Sequence, residues 1–72
     1  MNLSYRLREI RKKNNISQQE ISALINVTPR AWRFYETGDR EPSIKALVIL
    51  ADHFNVSVDY LVGMTDDSTP YK

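Results

Sequence analysis

The chain has no cysteine, two glycines, three prolines and one histidine, and each scarcity removes a class of protein. Without thiols there is no disulfide framework and no thiolate set for a zinc finger, and one imidazole does not make a protein-only metal site. Neither a metal nor a cofactor is therefore expected. The histidine, His53, has no Ser, Asp or Cys partner at a recognisable catalytic spacing, which argues against an enzyme. No apolar run approaches the roughly 18 to 20 residues that span a bilayer, and Met1 to Arg11 lacks the apolar stretch of a signal peptide, so the expected compartment is the cytosol. What remains is the composition of a folded globule, with 42% hydrophobic and 26% charged residues in 72, enough for one small domain whose stability comes from packing.

The net charge of +1 is a weak argument for a nucleic-acid partner, but its distribution is informative. Residues 1–45 carry nine basic against five acidic side chains, a balance of +4, and residues 46–72 carry Lys72 against four aspartates, a balance of −3. The chain is polarised end to end.

Hydrophobic spacing predicts helices throughout. Leu3, Leu7 and Ile10 recur at helical intervals, with Arg6 and Arg8 among the residues expected on a solvated face, in a first helix ending near Asn14-Asn15. Ser17-Gln18-Gln19-Glu20 fits a capping box and opens a second helix with Ile21, Leu24 and Ile25 inward; Asn26 then stands where the chain turns sharply. Thr28 as N-cap and Pro29 at the first helical position start a third helix that runs to Glu36 or Thr37 and closes at Gly38. After the polar connection Asp39 to Pro42, Ser43 caps a fourth helix with the expected buried stripe Ile44, Leu47, Leu50, Ala51 and Phe54. Ser57 begins a short fifth helix that Gly63 ends, and Met64 to Lys72 reads as a frayed tail, which divides the chain into a domain over 1–63 and a tail over 64–72. The reading is all-α.

Residues 17–38, a capped helix, a turn of about three residues and a second helix, form a helix-turn-helix pattern. Helical geometry turns Ala31, Trp32 and Tyr35 inward and leaves Pro29, Arg30, Arg33, Phe34 and Thr37 facing away. Trp32 and Tyr35 are accordingly read as core rather than as base-stacking residues. Arginine bonds guanine O6 and N7 bidentately in the major groove, and an apolar edge packs on a thymine methyl, so the outer face offers Arg30 and Arg33 for direct readout and Phe34 for a methyl contact, though at i+4 from Arg30 Phe34 also has a place to pack on its own helix.

In Arg11, Ser17-Gln18-x-Glu20, Val27-Thr28, Glu36-x-Gly38, Pro42-Ser43, Leu50-Ala51 and Val56-Ser57-Val58-Asp59-Tyr60-Leu61, taken in this order and spacing, the chain resembles the Cro and phage-repressor (Xre-like) helix-turn-helix family from Leu7 to Gly63. The resemblance implies a five-helix, lambda-repressor-like DNA-binding domain. It places Pro29, Arg30, Arg33 and Phe34 at base-facing positions and Gln18, Thr28, Arg40 and Lys45 at phosphate-facing ones, and it pairs Arg11 with Glu36 as a structural ion pair. Asn26 stands where the family usually has glycine and Ser22 where it has alanine; Pro29 and Phe34 replace side chains that are commonly polar, which shifts the expected readout onto the two arginines.

The function expected on this basis is sequence-specific binding of double-stranded DNA by a transcriptional regulator, a repressor, acting as a homodimer on a palindromic operator because one recognition helix touches too few bases. Ile49, off the expected core face of the fourth helix, is either a dimer contact or a scattered surface apolar residue. Two other readings share the fold: an antitoxin that also binds a protein partner, and an interaction module that has lost DNA binding.

Overall fold

Three asparagines make the corners for which most chains use glycine. Asn15, Asn26 and Asn55 all lie in the left-handed region, with φ of 55°, 57° and 57°, a conformation that a short polar side chain tolerates better than other non-glycine residues. At each corner the following residue, Ile16, Val27 or Val56, donates its N–H to the carbonyl five residues back, on Arg11, Ser22 or Ala51, which satisfies a carbonyl that the helix end would otherwise leave open. The same three residues pack against the core, so each corner is pinned on both sides.

The computed structural model describes residues 2–70. They form α1 (Leu3–Lys13), α2 (Gln18–Leu24), α3 (Pro29–Thr37), α4 (Ile44–Phe54) and α5 (Val58–Val62), with no strand among them. Four helix starts are capped by the hydroxyls expected to cap them: Ser17, Thr28, Ser43 and Ser57 accept from the backbone N–H groups of Glu20, Ala31, Ala46 and Tyr60 at 3.0 to 3.1 Å. At Ser17 the box is complete, because Glu20 accepts the Ser17 N–H in return. Such caps contribute about 1 kcal/mol each, a useful increment for helices of five to eleven residues.

The core is built on Trp32, which is fully buried together with Leu7, Ile21, Leu50 and Leu61. Burying an indole removes on the order of 200 Å² from water, roughly 5 kcal/mol of transfer free energy. α3 therefore packs against both α1 and α2, with Tyr35 edge-on to Trp32 at 6.0 Å.

Four expectations are corrected here. The inward stripe of α4 is Ala46, Leu47, Leu50 and Ala51, with Phe54 half-buried, whereas Ile44 is 79% exposed; it is the first residue of the helix, and the stripe is rotated away from it toward Ala46. In α2 the small Ser22 is buried and bonded to the Gln19 carbonyl, so Leu24, about half a turn away, faces outward in part. Arg6 is buried rather than solvated: its guanidinium lies 3.9 Å from the centre of the Tyr60 ring and 3.1 Å from Asp66, and its Nε, 4.0 Å from Glu9, has no hydrogen-bond partner. Finally, residues 64–70 do not fray. They fold back so that Asp66 meets Arg6 and the Ser68 carbonyl accepts from Ser57 N–H at 3.3 Å. Met1 and the tail residues Tyr71 and Lys72 lie outside the described residues.

Candidate nucleic-acid interface

The position of α3 is set from behind by one carboxylate. Glu36 accepts from Arg11 Nε at 2.5 Å and Nη2 at 3.3 Å, from the Trp32 indole N–H and from the Gln18 amide at 3.4 Å. Arg11 also donates to the Ile16 carbonyl at 3.2 Å, so α1, the loop before α2 and the end of α3 are held through one guanidinium. Burial pushes the Glu36 carboxyl up, but the bonds from Arg11 and Trp32 and the charge of Arg11 outweigh it and hold the group below the ordinary glutamate value. Arg11 and Glu36 are thereby occupied with each other, as an orienting pair.

With its inner face committed in this way, α3 presents Pro29, Arg30, Arg33 and Thr37 to solvent. Phe34, expected on the outer face with packing on its own helix as the alternative, is half-buried: the Arg40 guanidinium lies 4.9 Å from its ring centre and that of Arg30 5.8 Å. Two cations thus flank one aromatic ring, each such contact being worth about 0.5 to 1 kcal/mol at an exposed site. Arg40 is held there by backbone as well, since its N–H reaches the Phe34 carbonyl at 3.3 Å beyond the left-handed Gly38.

The remaining candidates fall in separate places. Thr28 uses its hydroxyl to accept from Ala31 N–H. Gln18 gives one amide hydrogen to Glu36 and has a second to give, because a primary amide carries two. Lys45 is exposed beside a different cleft, with Leu24, Asn26, Ser43 and Ile49 around it. Arg33 and Gln18, by contrast, share a cleft with Arg8 and Lys12 of α1. The sequence reading missed those two, although Arg8, Arg11 and Lys12 fall on one face of a helix by their i, i+3, i+4 spacing. Once Arg11 pairs with Glu36, Arg8 and Lys12 have to face the same side. Among the described residues no group of acidic or histidine side chains is arranged to hold a metal, and no helix is long and apolar enough to cross a membrane.

This architecture has known counterparts. A helix-turn-helix family profile matches residues 7–61. The HTH-type transcriptional regulator AnsR of Bacillus subtilis (strain 168) is 44% identical over 63 residues, which cover 88% of this chain and 53% of AnsR. The uncharacterized HTH-type transcriptional regulator YobD of the same organism is 37% identical over 65 residues, 90% of this chain and 58% of YobD. Among solved structures, the P22 c2 repressor in complex with a synthetic operator superposes with a TM-score of 0.77 at 30% identity, over 85% of this chain and 92% of the repressor chain. The chain spans a little over half the length of the two curated relatives.

Proposed function

This chain belongs to the helix-turn-helix family, in its phage-repressor branch, and from that premise we propose that it binds operator DNA sequence-specifically and represses transcription by occupying it. The observation that carries the proposal is the division of α3 into two faces. Trp32 and the Arg11–Glu36 pair immobilise one, and the other holds Arg30 and Arg33 exposed one turn apart. A rigid helix with two exposed guanidinium groups in line is suited to the major groove, where arginine reads guanine bidentately. Pro29 lies at the leading end of this row. Phe34, flanked by Arg30 and Arg40, serves as a shelf that orients two arginines and offers its ring edge to a thymine methyl. Gln18, Thr28, Arg40 and Lys45 approach the phosphates, Gln18 from the start of α2, where the helix dipole assists.

Two copies act on one operator with half-sites about one helical turn, roughly 34 Å, apart. The exposed apolar residues Ile44, Val48 and Ile49 of α4, with Leu24 beside Ile49, support pairing through α4. The test is selection of bound duplexes from a random pool, followed by titration of the winner at several salt concentrations with the wild-type protein and with Arg33→Ala. An enriched inverted repeat, bound less tightly as salt rises and with preference at one base pair per half-site relaxed in the variant, is the expected result. No enrichment, or indifference to Arg33→Ala, would refute the proposed readout and redirect attention to a protein partner.

A further inference from the structure

Arg8, Lys12, Gln18, Arg33 and Thr37 surround a cleft of about 310 Å³, together with the Arg11–Glu36 pair. Four cations and one anion give the cleft a charge of +3, and because Arg11 and Glu36 satisfy each other, Arg8, Lys12 and Arg33 are left over. Among the described residues none of these three is ion-paired. The charge is local: four other clefts hold Asp52, the pair Arg40 and Glu41, the pair Glu9 and Lys13, or Lys45 without an acid. Three like charges around one recess repel each other in the free protein, and an anion seated between them relieves that repulsion.

We infer that this cleft binds a backbone phosphodiester of the operator, with Arg8 and Lys12 of α1 as its main electrostatic contacts and the spare Gln18 amide hydrogen as its hydrogen-bond donor. The inference rests on the DNA-binding reading above and extends its footprint to α1. Two features favour a phosphodiester over a free nucleotide or an acidic peptide. No aromatic side chain lines the cleft, so a base or nucleoside has nothing to stack on. Arg33 borders the cleft and also stands in the exposed row with Arg30. A group held here therefore lies beside the bases that Arg33 reads, where the strand that walls the major groove carries its phosphates. Lys13, next to Lys12 in sequence, borders a different cleft with Glu9 and Tyr60 and serves as the control.

The experiment uses the duplex recovered by selection and compares the salt dependence of binding for the wild-type chain, the double variant Arg8→Gln/Lys12→Gln and Lys13→Gln. Each phosphate contact contributes about 0.9 to the logarithmic salt slope. The double variant removes one such contact from each of the two copies on the operator and should lose close to two units of slope, so that over the fourfold rise from roughly 50 to 200 mM salt its affinity falls about tenfold less than that of the wild type. Its ranking of single-base operator variants should not change, because phosphates carry no sequence information, and Lys13→Gln should keep the wild-type slope. A double variant with the wild-type slope, or with no greater loss than Lys13→Gln, overturns this inference while leaving the DNA-binding reading intact. Failure of the wild-type chain to bind any duplex overturns both. All three side chains are exposed, so the variants are expected to fold, which thermal melting followed by circular dichroism checks.

Discussion

Arg11 Nε and Glu36 Oε2 meet at 2.5 Å across 25 residues of sequence, joining the first helix to the end of the third. Both side chains are largely shielded from water, at 15% and 6% exposure, so removing one leaves the other as an uncompensated charge. Glu36→Ala is expected to cost about 3 kcal/mol. That is a large part of the roughly 4 to 11 kcal/mol available to a domain of this size. Urea denaturation gives the value directly; a loss below about 1 kcal/mol would show that the pair behaves like a surface salt bridge.

The same carboxylate makes stability depend on pH. Its folded pKa lies below the ordinary value of 4.5, so its contribution is complete above that value and is lost as the pH falls through the folded one. Urea midpoints measured from pH 7 down to pH 2 should therefore drop more steeply for the wild type than for Glu36→Gln, which has no proton to take up.

Arg33→Ala and Arg30→Ala should separate in their effects on operator binding. Each is expected to relax preference at its own base pair by about 1 to 3 kcal/mol. Only Arg33→Ala should also reduce the salt slope, since Arg33 alone of the two borders the basic cleft. Competition titrations with single-base operator variants distinguish these outcomes from a uniform loss.

Phe34 lies under two guanidinium groups, and Phe34→Leu keeps its bulk while removing the ring quadrupole that holds them. The expected result is a several-fold loss of operator affinity, about 1 kcal/mol for the two contacts, with little change in melting temperature because the ring is outside the buried core. A fall in melting temperature as large as that of a core variant would make Phe34 a packing residue.

Arg6 fastens the C-terminal segment through Asp66 and stacks on Tyr60. Arg6→Ala removes a buried stem as well as a charge and should cost about 2 kcal/mol. Asp66→Ala should cost less, yet it should accelerate hydrogen exchange at the Ser57 N–H, whose acceptor is the Ser68 carbonyl of the same segment. Unchanged exchange there would show that the segment docks without Asp66.

The helix boundaries were legible in advance because the interactions that set them are short. Ser17, Thr28, Ser43 and Ser57 bond to backbone three residues on, and Asn15, Asn26 and Asn55 turn the chain with bonds that reach back no more than five residues. A window of that length contains both partners. The outward row of Pro29, Arg30 and Arg33 was legible for a related reason, since the apolar positions Trp32 and Tyr35 determine which side of a helix is left over.

Tertiary structure decided what depends on partners far along the chain. Whether Arg6 is a solvated charge or a buried clasp depends on Asp66, sixty positions away, and no helical period contains that information. Ile44 and Ala46 are both apolar, and only the packing of neighbouring helices selects which of them is covered. The basic cleft exists because Arg11 draws the Arg8–Lys12 face of α1 against the end of α3. Local hydrogen bonds and periodicity thus specified where each helix begins, ends and hides its apolar side; long-range packing specified how those helices are rotated and which charges come together.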